Sequence, residues 1–172
     1  MNIPNILTVI RLILIPCFTY VFFLDTPNSL TYAMIIFLVA GVTDVLDGFI
    51  ARKFNMVTKV GAVLDPLADK LMLLTVLGCF TLKNYLPYWV ITIVLIKELL
   101  MIAGGIYLYF HKEKVVIPAN KYGKVATVVF YTAIVLTTFN VGAAYNDILI
   151  GGAIFMTMVA FVVYLRTFRK QH

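Results

Sequence analysis

Residues 44–69 read DVLDGFIARKFNMVTKVGAVLDPLAD and hold four of the eight acidic residues of the 172-residue chain: Asp44, Asp47, Asp65 and Asp69. The flanking apolar runs, 30–50 and 62–82, are each long enough to cross a bilayer as a helix of about 20 residues. An ionisable residue inside such a segment costs about 2.5–3.5 kcal/mol on insertion scales, so four clustered carboxylates need a partner. Asp44 and Asp47 are three residues apart and Asp65 and Asp69 four apart, so each pair shares one face of its helix. The short connection between the two runs predicts that the helices are antiparallel neighbours.

Further apolar stretches lie outward of this window at 6–24, 86–110, 122–140 and 146–165, separated by breakers such as Pro27, Pro87, Pro118, Asn120 and Gly142. The chain is 62% hydrophobic and 13% charged, with a mean hydropathy of +0.98. A water-soluble domain is about 45–50% apolar, so the composition excludes soluble, disordered and disulfide-rich classes. The expectation is an all-α integral membrane bundle of about six transmembrane helices, forming a single domain over 1–172. Cys17 and Cys79 have no metal-ligand or redox spacing and are expected to be small buried hydrophobes.

The formal charge of +6 does not require nucleic acid, because basic cytoplasmic loops explain it. One side receives Arg52, Lys53 and Lys59, then Lys112, Lys114, Lys121 and Lys124, then Arg166, Arg169 and Lys170; the other receives Lys83. This asymmetry predicts a multi-pass cell-membrane protein with both termini and the 51–61 and 111–124 loops in the cytoplasm. The start of the chain lacks the pattern of a removable signal peptide, so the first apolar helix is expected to be retained.

Two helices that each project a pair of carboxylates near one membrane surface form an all-oxygen cage suited to Mg²⁺ or Mn²⁺. Gly48 and Ala51, four and seven residues after Asp44, leave a strip of that face almost bare, and Gly61 opens the next helix with another bare surface. Arg52 and Lys53 follow one turn on, within reach of phosphate. The combination points to a phosphorylated ligand bridged by metal. Each part has a plainer reading: Asp65 before Pro66 as an N-cap, Gly48 and Ala51 as helix packing, Arg52 and Lys53 as topology signals. Their joint occurrence in one window is what the plainer readings leave unexplained.

The window fills every position of D-x2-D-G-x2-A-R-x8-G-x3-D-x3-D, and with it the chain resembles the CDP-alcohol phosphatidyltransferase family. The resemblance implies a metal-dependent enzyme in which a hydroxyl attacks the lipid-linked phosphorus of CDP-diacylglycerol and CMP leaves. Carried over residue by residue, it implies that Asp44, Asp47, Asp65 and Asp69 hold one or two Mg²⁺ or Mn²⁺ ions. Gly48, Ala51, Arg52 and Gly61 would line the nucleotide and diphosphate, and Asp69 would be the general base. It also allows a homodimer.

The opening NIPNILTVIR, with Asn5, Thr8 and Arg11, resembles family members whose acceptor is glycerol 3-phosphate and equally those whose acceptor is phosphatidylglycerol. Lys97 within an apolar run, and Lys121 and Lys124 at the start of another, can serve as phosphate contacts, and Arg11 joins them as an expected contact for an acceptor phosphate. Glycerol 3-phosphate is the expected acceptor, with phosphatidylglycerol, and after it another alcohol, as the alternatives. Lys97 pairing with Glu98, and loop lysines facing anionic lipid, are the plainer accounts. A cation transporter is the rival from another class, since intramembrane carboxylates also line ion paths. The acids crowd one membrane surface and no paired halves are visible, which counts against it.

Overall fold

Three buried stripes organise the first half of the chain. Thr8, Arg11, Phe18 and Phe22 recur at the intervals of one helix face, as do Ala33, Phe37, Ala40 and Asp47, and then Ala68, Met72, Val76 and Phe80. The computed structural model describes residues 2–54, 56, 58, 61–111, 121–138 and 143–171. Within them, the side chains at 3, 52, 62–63, 105–106, 108–111, 121–122, 124, 143–146 and 168–171 lie outside the description. The architecture is all-α, with α1 (Ile3–Phe22), α2 (Ser29–Lys53), α3 (Gly61–Leu82), α4 (Tyr88–His111), α5 (Lys121–Thr138) and α6 (Ala143–Gln171). These fall into two compact units, Met1–Leu86 and Pro87–His172.

In the first unit α1 is the central helix, packed along both α2 and α3, while α2 and α3 barely touch. The short connection predicted that the acid-bearing helices are neighbours; they touch only slightly, and α1 packs along both. Its inward stripe explains the arrangement. Phe18 and Phe22 are large enough to need both partners: Phe22 packs 5.2 Å from Phe80 of α3, and Phe18 lies 6.4 Å from Phe37 of α2, centroid to centroid. Arg11 is two to three turns earlier on the same face, roughly 16 Å from the level of Phe22 at 1.5 Å per residue. The α1 stripe is thus aromatic at one end and polar at the other.

α3 ends in a Schellman motif. Asn84 takes the left-handed conformation (φ 58°), Tyr85 N–H donates to Phe80 O at 2.9 Å, and Asn84 N–H donates to Thr81 O at 2.9 Å. The rings of Tyr85 and Phe80 close the motif at 5.6 Å. At its other end α3 begins at Gly61, so Pro66 is inside the helix and Asp65 is not its N-cap. Cys79 is buried as expected, whereas Cys17 is exposed on the outer side of α1.

In the second unit α6 packs against α5 and against α4. Ala126 and Ala133 of α5 and Ala153 and Ala160 of α6 are buried, and small side chains let helices approach closely. The Tyr164 hydroxyl donates to the Met101 carbonyl of α4 at 3.0 Å.

Among the described residues, three helices are long and apolar enough to cross a membrane, over Pro4–Phe22, Ser29–Ala51 and Asp147–Thr167. α3 carries Asp65, Asp69 and Lys70 within its first ten residues, the apolar course of α4 holds Lys97 and Glu98, and the described apolar part of α5 is the shorter Val125–Thr138.

Candidate functional site

The four aspartates lie at the ends of α2 and α3 that the 54–60 segment joins, and the side chains that meet them come from α1. Thr8 and Arg11 are one turn apart on its buried face, at 0% and 1% exposure. Arg11 Nη1 is 3.0 Å from Asp44 Oδ1 and also pairs with Asp69, while Nη2 pairs with Asp47. Asp47 is itself buried; Asp44 and Asp69 remain partly open, with side chains 43% and 39% exposed. One wall of the cluster is therefore sealed by protein and the other is reachable by a ligand.

Thr8 serves the fourth acid. Its hydroxyl lies 3.1 Å from the Pro4 carbonyl and within hydrogen-bond reach of Asp65 Oδ1. A hydroxyl has one proton, and a charged carboxylate accepts it more strongly than a neutral carbonyl, so the bond to Asp65 orients that side chain. Asp65 is thus engaged by a tertiary partner, and capping its own helix does not account for it.

At Gly61 the start of α1 lies close against the start of α3. The Thr58 hydroxyl donates to Asn5 Oδ1 at 3.0 Å and accepts the Gly61 N–H at 2.9 Å. A Cβ at position 61 would sit 2.7 Å from Asn5 Oδ1 and 3.0 Å from Thr58 Oγ1. The bare surface at Gly61 is accordingly filled, in part, by the start of α1. Gly48 and Ala51 follow Asp44 and Asp47 on α2 and are half-buried.

The structure thus brings Asp44, Asp47, Asp65, Asp69 and Gly61 together with Arg11, expected at an acceptor phosphate and found where three acids meet. Lys97 pairs with its neighbour Glu98, both largely buried, in the second unit. The side chains of Arg52, Lys121 and Lys124 lie outside the described residues. Thr8, Asn5 and Thr58 were not assigned site roles from sequence. The signal for the first two was their spacing with Arg11, three residues apart each time on one helix face; nothing in the sequence singles out Thr58.

The donor set fits a hard divalent cation: the acids offer only carboxylate oxygens, three of them face a single positive centre, and one guanidinium cannot balance four carboxylates. Among the described residues no three acidic side chains surround a common metal position. Asp44, Asp47 and Asp69 turn to Arg11, and Asp65 turns to Thr8.

The sequence pattern of the CDP-alcohol phosphatidyltransferase family matches residues 1–164. The chain is 30% identical over 167 residues to a CDP-diacylglycerol–glycerol-3-phosphate 3-phosphatidyltransferase of Rickettsia felis, covering 95% of this chain and 90% of that one. A protein of the same name from Wigglesworthia glossinidia brevipalpis is 43% identical over 105 residues, 59% of this chain and 57% of its own. A provisionally named cardiolipin synthase of Mycobacterium tuberculosis is 38% identical over 127 residues, 74% of this chain. The match spans 59% of the length of that mycobacterial relative.

Proposed function

The chain belongs to the CDP-alcohol phosphatidyltransferase family, and from that membership we propose that it transfers the phosphatidyl group of CDP-diacylglycerol to the hydroxyl of glycerol 3-phosphate, releasing CMP. The observation that carries the reading is that Asp44, Asp47 and Asp69, from two helices, all pair with the Arg11 guanidinium, with Asp47 buried and Asp44 and Asp69 partly exposed. In the transfer the acceptor oxygen forms a bond to the lipid-linked phosphorus, the bond from that phosphorus to the CMP oxygen breaks, and the hydroxyl proton passes to the carboxylate of Asp69. Base catalysis of this kind contributes about 10²–10⁴-fold.

Asp44, Asp47, Asp65 and Asp69 would hold one or two Mg²⁺ or Mn²⁺ ions, which when bound neutralise charge building up on the leaving group. Thr8 fixes the orientation of Asp65. Gly48 and Ala51 leave room for the nucleotide against α2, Gly61 keeps the start of α3 close to α1, and Arg52 supplies a cation for the diphosphate. Lys97, Lys121 and Lys124 are the candidates for the acceptor phosphate.

Glycerol 3-phosphate is favoured as acceptor because relatives that carry it in their names align with nearly the whole chain. Phosphatidylglycerol is the second reading, supported by the 38% identity to the mycobacterial relative over 74% of this chain. We further read all six helices as crossing the membrane, as one domain able to dimerise, with the acids at the cytoplasmic end. The charge asymmetry of the sequence supports this orientation: Arg52, Lys53 and Lys59 follow the acids of α2, whereas the turn after α3 has Lys83 alone. The test is an acceptor screen with CDP-diacylglycerol and purified protein in detergent. Phosphatidylglycerophosphate as product supports the reading; cardiolipin formed from phosphatidylglycerol replaces it with the second.

A further inference from the structure

Arg11 does something the transfer itself does not require. Its side chain is 1% exposed, it meets carboxylates from both α2 and α3, and its Nε is buried with no hydrogen-bond partner among the described residues. A guanidinium held by its shape uses its donors in parallel pairs on one acceptor. This one spreads two nitrogens over three acids and leaves a third donor unused, so charge rather than fork geometry fixes it there. It occupies the region that a cation ligated by the same oxygens would need.

We propose that Arg11 is the resident counter-ion of the aspartate cluster: it holds the carboxylates of α2 and α3 together before a divalent ion enters, and then competes with that ion for their oxygens. This rests on the reading that the aspartates take a divalent ion. Two consequences oppose each other in sign. Removing Arg11 leaves the carboxylates of Asp44, Asp47 and Asp69 without their shared counter-charge, so the metal-free protein loses stability, because a buried charge that loses its partner is uncompensated. The same removal takes a positive charge and a competitor away from the ion's ligands, so the metal binds more tightly. A residue that merely packed α1 against its neighbours would lower stability with or without metal, and would not tighten binding.

The test uses the full chain in detergent, with Mn²⁺ as the probe read by electron paramagnetic resonance and thermal unfolding followed with and without chelator. Arg11→Gln is expected to melt well below wild type in chelator, to recover most of the difference in Mn²⁺, and to bind Mn²⁺ about tenfold or more tightly. The double change Arg11→Gln with Asp47→Asn removes one charge of each sign. It should melt closer to wild type in chelator than Arg11→Gln does, and bind Mn²⁺ more tightly than Asp47→Asn alone. This second comparison decides the matter if Arg11→Gln does not fold. Mn²⁺ affinity that is unchanged or weaker without Arg11 overturns the proposal while leaving the aspartates as ligands. A wild type that binds no Mn²⁺ overturns the ligand assignment, and the proposal with it.

Discussion

Thr8 of α1 donates its hydroxyl to Asp65 of α3 across 57 positions of sequence, from a site with no exposure to solvent. The bond makes α1 an outer support for the acid cluster, since groups behind a ligand fix its orientation. A hydrogen bond to a charged group is worth about 1.5–3 kcal/mol. Thr8→Val, which keeps the shape and removes the donor, should therefore lower CMP release by about tenfold or more, while Thr8→Ser should retain most of it. Equal rates for the two variants would show that the hydroxyl does not matter.

Gly61 permits the contact between α1 and α3. The Cβ of an alanine there would lie 2.7 Å from Asn5 Oδ1, and overpacking costs about 1–3 kcal/mol. Gly61→Ala should therefore fail to stabilise the protein and should reduce activity. Adding Asn5→Ala removes the nearer obstacle, so a double-mutant cycle on thermal stability should show favourable coupling between the two changes. Strict additivity would mean that the start of α1 does not press on Gly61.

Asn84 ends α3 with φ 58°, a conformation that costs a residue with a Cβ about 1–2 kcal/mol unless it is Gly, Asn or Asp. Asn84→Ala should destabilise the protein by about 1 kcal/mol, and Asn84→Gly should be neutral or slightly stabilising. Thermal unfolding of the two variants in detergent checks the order. Alanine as stable as glycine would contradict the left-handed cap.

Much of the site was legible because carboxylates in an apolar chain are costly wherever they fall, and four at helical spacing mark a shared surface. What the sequence concealed is who faces them. A short connection between 30–50 and 62–82 implies neighbouring helices, yet the two touch only slightly, and α1, with its inward stripe of Arg11, Phe18 and Phe22, packs along both. Local rules also misread Asp65 and Cys17. An Asp–Pro pair signals an N-cap only if the helix starts there, and α3 starts one turn earlier at Gly61. An apolar environment buries a cysteine in a soluble core, but a membrane helix can turn one outward without penalty.

A phosphate-bearing acceptor needs cations that a lipid acceptor does not. Lys124→Ala or Lys121→Ala should raise the apparent KM for glycerol 3-phosphate about tenfold or more, the effect of losing a charge-assisted contact of about 1.5–3 kcal/mol. The KM for CDP-diacylglycerol should hardly move. Unchanged KM values for both substrates in both variants would remove these lysines from the acceptor site.

The central claim, that the aspartates gathered beneath α1 perform a metal-dependent phosphatidyl transfer, is tested most directly by the rate of CMP release from CDP-diacylglycerol by the purified protein. Release should require added Mg²⁺ or Mn²⁺, stop in excess chelator, and fall by about a hundredfold in Asp69→Asn. Full turnover in excess chelator, or an Asp69→Asn variant as fast as wild type with the ion present, would contradict it.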